Sequence, residues 1–434
     1  MNRKLIKRLI IYYLTLLARV QLAKINPKVI GLTGSVGKTT LRDLISTVLS
    51  QKYIVRCAQQ SMNSDIGVPM AVFNIKPSKD YIQYLFSLLI IPIIKLITDW
   101  KKYDFFIIEK GIEEPGDMDY LGLLTKLDVA ILLNVYPVHT ANFPTNDPLY
   151  SLYQEKFKIF SHLKENGIGI INGDNIYIGK YLESSSITKS ISRLSSTLTE
   201  CEIPFKCTMS EKGNMEVQIG TCNYTCDLKV PIEYACSIAL SVYIGTLYNI
   251  SCVEIQQGLN IYKSEPGRFG FFQGLRGSML LDSTYNSSPH ALESTLKYVR
   301  TQSDFKRKIL CLGDMRELGI LSEKEHMQLA PLISSTGDLV FLVGEQMCKF
   351  VHPRLDIPVE NKKCFRNSLL LGDYLKTVVQ SGDLIVFKGS QNTVFLEEAL
   401  KMILADPKDI SNLCRQDKFW INKKKRFFEV ANLT

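Results

Sequence analysis

Apolar residues along this chain fall into two patterns, short continuous runs and helix-spaced stripes. The runs include Val29 to Leu32, Phe105 to Ile108, Val129 to Leu133 and Ile168 to Ile171. Further along come Met279 to Leu281, Ile309 to Leu312, Leu339 to Val343 and Leu384 to Phe387. Runs of this length without polar alternation predict strands buried on both faces, as in a parallel sheet. The stripes between them predict helices, so the chain reads as α/β throughout. Its character changes around Lys263-Ser264-Glu265-Pro266-Gly267-Arg268, which predicts a domain boundary. The expected organisation is a helix over 1–26, a central domain over 27–263 and a second α/β domain over 264–434.

Two apolar stretches do not fit a simple strand. In residues 3–23, Leu5, Leu9, Tyr12, Tyr13, Leu16, Leu17 and Val20 recur at helical spacing, with cations among them. This predicts either a helix docked on the domain or a basic amphipathic helix lying on a membrane. Arg19 and Lys24 follow the apolar part, unlike the order of a secretory signal. Residues 81–99 are nearly continuously apolar but contain Gln83, Pro92 and Lys95. A spanning helix needs about 20 apolar residues, so an interfacial or buried helical hairpin is expected. Residues 175–230 look β-like, and Pro231 to Tyr248 predicts a helix apolar on one side.

The first strand leads into Thr33-Gly34-Ser35-Val36-Gly37-Lys38-Thr39-Thr40, and a helical stripe follows from Leu41 to about Leu49. Strand, glycine loop and helix make a phosphate cradle, with backbone N–H groups and the helix N-terminus facing the anion. Lys38 is placed to reach the β/γ-phosphates and Thr39 to offer a hydroxyl to Mg²⁺. The general motif has a glycine five residues before Gly37, where this chain has Leu32. The central domain is therefore expected to be a P-loop ATPase domain with a mainly parallel sheet, followed by a Rossmann-like α/β domain.

Composition changes little of this. The 434 residues are 46% hydrophobic and 22% charged, which is ordinary for globular domains. The net charge of +9 is uneven. Arg3, Lys4, Lys7, Arg8, Arg19 and Lys24 crowd the first helix without an acid, and Lys423, Lys424, Lys425 and Arg426 crowd the tail. No interleaved basic-aromatic pattern runs through the chain, so nucleic acid is not an expected partner. The eleven cysteines are scattered. Cys222 and Cys226 lie in strand-like sequence, and reduced thiols are expected.

Ligands in α/β folds gather at the carboxyl ends of strands. Glu109 ends one buried strand and is placed to bind Mg²⁺ beside the loop, or to form a surface ion pair. His139 follows the strand that ends at Asn134, and reads as a ligand or as a structural residue. Asp282, Gly313-Asp314 and Lys388-Gly389-Ser390 end strands of the second domain.

The set of motifs resembles the Mur ligase family, and within it the branch that adds D-alanyl-D-alanine. The residues carrying the resemblance begin with Thr33 to Thr40, Asn63-x-Asp65-Ile66-Gly67-Val68-Pro69 and Asp282-x-x-Tyr285-Asn286-x-x-Pro289. They continue with Leu312-Gly313-Asp314-Met315-x-Glu317-Leu318-Gly319, His326 and Gly382-Asp383-x-x-x-x-Lys388-Gly389-Ser390. The resemblance implies an ATP-driven, ADP-forming amide ligase of peptidoglycan precursor synthesis, acting through an acyl phosphate. It implies ATP and two Mg²⁺ ions as cofactors, with Thr39, Glu109, His139 and Lys156 at the metals and Lys156 carried as a carbamate. Lys38, His139 and Lys156 would be catalytic. Gly34, Ser35, Val36, Gly37, Lys38, Thr39, Thr40 and Asn134 would hold the nucleotide, with Arg268, Asp282, Tyr285 and Asn286 closing on it. Asn63, Asp65, Lys388 and Ser390 would face the substrates, a cell-wall precursor peptide and D-Ala-D-Ala. A monomeric cytoplasmic enzyme is expected, with peripheral membrane association through 1–24 and 81–99 as an open addition.

The departures are specific. Residues 1–28 alone precede the first strand, where members of this branch carry a UDP-binding domain. Lys158 stands where a Glu usually follows the lysine by two residues, and Pro231-Ile232-Glu233 replaces a usual Gly-x-His. Three other readings therefore stay open. One is a related ligase acting on a lipid-linked or pseudomurein-type carrier. Another is a folylpolyglutamate synthase, against which the Tyr285-Asn286 and Gly313-Asp314-Met315 motifs argue. The last is a non-catalytic nucleotide-binding subunit of an amidating complex.

Overall fold

The computed structural model describes residues 3–57, 64–75, 81–138, 140–143, 145–182, 191–198, 200–210, 214–392 and 394–433. The chain forms two compact units, 1–228 with 233–262, and 229–232 with 263–434.

The first unit opens with α1 (Arg3–Ile25), β1 (Lys28–Thr33), α2 (Lys38–Leu49), β2 (Val55–Cys57) and α3 (Gly67–Val72). The apolar insertion forms α4 (Tyr81–Leu89) and α5 (Ile91–Thr98), and then come β3 (Phe105–Lys110), α6 (Asp117–Leu124) and β4 (Leu127–Leu132). The unit continues with α7 (Pro148–Phe157), β5 (Leu163–Asn172), α8 (Ile176–Leu182) and the strands β6 (Ile191–Ser195), β7 (Ile203–Met209), β8 (Met215–Ile219) and β9 (Cys222–Cys226). Helices α9 (Ala235–Leu247) and α10 (Cys252–Ile261) complete it. Its sheet runs β2-β3-β1-β4-β5-β6-β7-β8-β9. Strands through β7 pair parallel, and β7, β8 and β9 pair antiparallel. The register of β1 on β3 sets Leu32 beside Glu109 and Thr33 beside Lys110, so the glycine loop leaves the sheet next to the Glu109 carboxylate.

Gly37 caps α2 at φ 79°, a left-handed conformation that glycine adopts without strain. Leu41, Leu44, Ile45 and Val48 then form the buried stripe of α2. Behind α2 lies α10, whose Gly258 comes so near that a Cβ there would stand 2.7 Å from the Val48 Cα. Both α2 and β8 also pack on α9. It is therefore buried all round from Ala235 to Val242, where the sequence predicts one apolar side. The β-like expectation for 175–230 likewise misses α8 at its start.

The insertion breaks into two helices at Ile90, with Pro92 in the first turn of α5. Leu14, Ala18, Leu22 and Ile25 of α1 enter the core of this unit, so α1 is docked. Tyr13 Oη donates to the Leu89 carbonyl at 2.5 Å, and Lys24 Nζ donates to the Leu96 and Asp99 carbonyls at 2.9 and 3.0 Å. Among the described residues no helix is long and apolar enough to cross a membrane.

The second unit holds β10 (Gly270–Gln273), β11 (Met279–Ser283), α11 (Pro289–Thr301), β12 (Arg307–Gly313), α12 (Ser322–Gln328) and α13 (Ala330–Ser334). It continues with β13 (Leu339–Val343), β14 (Lys362–Phe365), α14 (Ser368–Val378), β15 (Asp383–Lys388), α15 (Leu396–Lys401) and α16 (Lys418–Leu433). The sheet order is β10-β11-β15-β12-β13-β14, parallel except for β10 on β11. Ser283 and Leu312 both sit in register with Lys388, which gathers the ends of three parallel strands.

The expectation of reduced cysteines fails at four positions. Cys222 pairs with Cys252, and Cys348 with Cys364, in disulfides. The partners stand 30 and 16 residues apart, on segments that only the folded chain brings together.

Candidate active site

The site in the first unit is built on the loop between β1 and α2. Asn134, just past β4, holds that loop open through its side chain. Its Oδ1 accepts from the Ser35 and Val36 backbone N–H groups at 2.9 Å each, and its Nδ2 donates to the Val36 carbonyl at 2.9 Å. Ser35 adds two bonds to Tyr136, donating Oγ–H to its carbonyl and accepting from its N–H. A Cβ on Gly34 would stand 3.3 Å from the Asn134 Oδ1, so this close approach favours glycine.

Two lysines converge on the same carbonyl. Lys38 Nζ donates to the Gly34 oxygen at 2.8 Å, and Lys156 Nζ donates to it at 3.2 Å. Lys156 comes from α7, which Pro148 and the Asp147 cap begin. It is 1% exposed. Burial, then the Lys38 charge, pushes its pKa well below the usual lysine range. The neighbouring Glu155 faces elsewhere, accepting from the Met118 N–H and from Lys158 Nζ at 2.8 Å each. Lys158, the residue that departs from the family pattern, is thus the ion-pair partner of Glu155.

On the other side of Lys38, the Thr39 Oγ1 lies 3.2 and 3.1 Å from the two Glu109 carboxylate oxygens. Arg42 Nη1 approaches Glu109 at 3.5 Å and its Nη2 meets Asp43 at 2.7 Å. A hydroxyl and a carboxylate beside a phosphate cradle are the hard oxygen donors that Mg²⁺ takes, with water and phosphate completing its shell. Among the described residues no group of three His, Cys, Asp or Glu gathers to hold a metal without such help. His139 and Asn63 lie outside the described residues.

Asp65 is described, and its partner was missed by the sequence reading. Lys110 Nζ, on a fully buried side chain at the end of β3, binds the Asp65 carboxylate at 2.8 Å. Thr15, Ser64, Val68 and Tyr120 join them around a small cleft. The available signal was partial: a lysine ending a fully buried strand marks a group that needs a partner, but not which residue supplies it.

The second unit has its own cluster. Asp282 is buried, accepts from the Thr284 N–H and Oγ1–H at 3.0 and 2.6 Å, and burial raises its pKa to about 6. Lys388 is buried too, donates to Ser283 Oγ and the Asn286 carbonyl at 3.1 and 3.2 Å, and burial lowers its pKa to about 7. The Arg268 guanidinium lies over the Tyr285 ring at 4.1 Å. Ser390 donates to the Ser287 carbonyl at 3.0 Å and accepts from the Arg316 N–H at 3.1 Å. Arg415, also absent from the sequence reading, underpins this cluster. It binds Glu397 bidentately at 2.7 and 2.8 Å and reaches the Thr284 and Tyr285 carbonyls at 2.6 and 2.9 Å.

Residues 32–220 match the model of the Mur ligase middle domain, and residues 267–391 match that of the Mur ligase, glutamate ligase domain. Two similar curated proteins are UDP-N-acetylmuramoyl-tripeptide–D-alanyl-D-alanine ligases. The Escherichia coli K12 protein is 26% identical over 333 residues, 74% of this chain and 66% of its own length. The Bacillus subtilis 168 protein is 25% identical over 403 residues, 90% of this chain and 79% of its own. The MurF ligase of Thermotoga maritima, solved in complex with ADP, superposes with a TM-score of 0.71 at 22% identity, covering 96% of this chain and 84% of that one.

Proposed function

This chain belongs to the Mur ligase family, and from that premise we propose that it is an ATP-dependent, ADP-forming amide ligase of peptidoglycan precursor synthesis. It joins D-alanyl-D-alanine to the terminal carboxylate of a muramyl peptide, as the names of its relatives describe for them. A carboxylate oxygen attacks the γ-phosphorus of ATP, the bond to the β-phosphate oxygen breaks, and ADP leaves. The D-alanyl-D-alanine amine, having lost its ammonium proton, attacks the carbonyl carbon of the acyl phosphate; inorganic phosphate leaves with its electron pair, and the nitrogen gives up a further proton, taken up by the departing phosphate, to become the amide.

The observation that carries this reading is the convergence of Lys38 and Lys156 on one backbone carbonyl, beside Thr39 and Glu109. A polyanion at this loop meets two lysine nitrogens, the loop N–H groups and the N-terminus of α2. Thr39 and Glu109 would hold Mg²⁺, which supplies charge neutralisation to the phosphates. Lys156 is suited to a second role. Its amine is pushed toward the neutral form, which is the form that adds CO₂ with loss of a proton to give a carbamate. Asp65 and Lys110 border the substrate side of the first unit in this account, and Asp282, Tyr285, Asn286, Arg268, Lys388 and Ser390 form the second unit's own binding cluster. The enzyme acts as a monomer on small-molecule precursors, with attachment to a membrane surface through 1–24 and 81–99.

Phosphate release from ATP tests the reading. With UDP-muramyl tripeptide and D-Ala-D-Ala together, release is expected to exceed that with either alone. Release that ignores both, or none while ADP still binds, would overturn it.

A further inference from the structure

Helix α1 carries two apolar stripes, and its docking uses only one. Leu14, Ala18, Leu22 and Ile25 go into the core, while Leu9, Tyr12, Leu16 and Val20 stay exposed at helical spacing. The outer stripe continues onto the insertion. Tyr13 bonds to the Leu89 carbonyl, and beyond it Phe86, Leu89, Ile93, Ile94 and Ile97 are exposed on α4 and α5, with Ile90 exposed at the break between them. Trp100 closes the row, 71% exposed, with Lys24 Nζ 3.6 Å from the centre of its ring. An apolar surface of this extent, fixed on two sides to the fold, is unusual unless something covers it.

Charge identifies what covers it. Residues 3–25 and 81–98 contain no acid. Lys7, Arg8 and Arg19 are exposed on α1, and Lys101 and Lys102 are exposed just past Trp100. Asp99, the nearest acid on this edge among the described residues, faces Arg56 at 3.7 Å. A second copy of the chain would set these cations against their own kind, with no acid among the described residues of α1, α4 and α5 to answer them. A bilayer bearing anionic headgroups answers both features, since it takes apolar side chains to acyl depth and cations at the headgroups. Exposed Tyr12 and Trp100 are residue types that settle at that depth.

We infer that the outer face of α1, together with α4 and α5, seats the protein on an anionic phospholipid bilayer without crossing it. The surface is separate from the phosphate loop, and the inference stands or falls without the ligase reading.

Co-sedimentation of the full chain with vesicles decides it. The protein is expected to pellet with vesicles of phosphatidylcholine and phosphatidylglycerol, less so at high salt, and weakly with phosphatidylcholine alone. Leu16→Glu with Ile94→Glu is expected to reduce binding at least ten-fold. Arg8→Gln with Arg19→Gln is expected to weaken it by about five-fold per cation removed. Unchanged thermal melting shows that each variant, altered at exposed positions, still folds. Failure of the wild-type chain to pellet would overturn the inference, as would equal binding to both vesicle types or undiminished binding by the glutamate variant. So would a wild-type dimer in sedimentation that the glutamate variant converts to monomer, because the face would then belong to a second copy.

Discussion

Lys156 in the first unit and Arg415 in the second are both cations sealed from solvent, and their surroundings differ in kind. Arg415 lies in a bidentate bond with Glu397 and gives two further donors to backbone carbonyls. Burial works against its charge, but Glu397 outweighs burial and raises its pKa. Lys110 is sealed in the same way by Asp65. Lys156 instead meets the Gly34 carbonyl and the charge of Lys38, and its pKa falls. Lys388 resembles it, with neutral acceptors and a pKa near 7. A buried cation held by its own carboxylate supports the fold. One without that partner costs stability, and in the proposed function it is the chemistry of the site that accounts for its position.

Substitution to methionine separates the two kinds. Lys156→Met is expected to lower ligation by about a thousand-fold, by analogy with losing one preorganised electrostatic group, while its melting temperature stays level or rises. Steady-state phosphate release and thermal melting measure the two effects. Arg415→Met should behave oppositely in stability, losing about 3–5 kcal/mol because the buried Glu397 loses its bidentate partner and, among the described residues, keeps only Lys424 at 3.6 Å. Denaturant titration reads that loss, and a loss of equal size in Lys156→Met would erase the distinction.

Two smaller effects sharpen it. Thr39→Val removes one oxygen donor and is expected to cost about a hundred-fold in rate, with a higher Mg²⁺ requirement in a metal titration. Lys388 gives a pH signature. The unfolded chain keeps this proton to near the ordinary value of 10.5, while the folded chain releases it near pH 7. Between those values the unfolded state binds more protons, so stability rises with pH. The penalty is full below about pH 7 and is relieved near pH 10. Lys388→Met should flatten that part of the stability–pH curve, as followed by chemical denaturation across the window.

The features legible in the sequence were those written locally. The loop from Gly34 to Thr40 depends on a strand, a turn and a helix in consecutive sequence, whereas Glu109, 70 residues from Thr39, was legible from its place at the carboxyl end of a buried run, and the structure sets it beside Thr39. Lys156 was placed by family pattern, since nothing near it in sequence marks it as buried. The pairs Lys110–Asp65 and Arg415–Glu397 were missed because their partners lie 45 and 18 residues away, with no motif joining them. The disulfides hid for the same reason. The second packing side of α9 hid too, because periodicity reports one buried face and cannot count the neighbours. For α1 the sequence offered docking or a free amphipathic surface as alternatives, and the helix has two apolar stripes, one docked and one exposed.

The most direct test follows an oxygen atom. UDP-muramyl tripeptide labelled with ¹⁸O in both oxygens of its terminal carboxylate is incubated with ATP, Mg²⁺ and D-Ala-D-Ala, and the released phosphate is analysed by mass spectrometry. Attack of that carboxylate on the γ-phosphorus leaves one ¹⁸O in each phosphate and one in the new amide. Phosphate released at the same rate but free of label would mean that water attacks ATP at this loop, and the ligase account would be wrong.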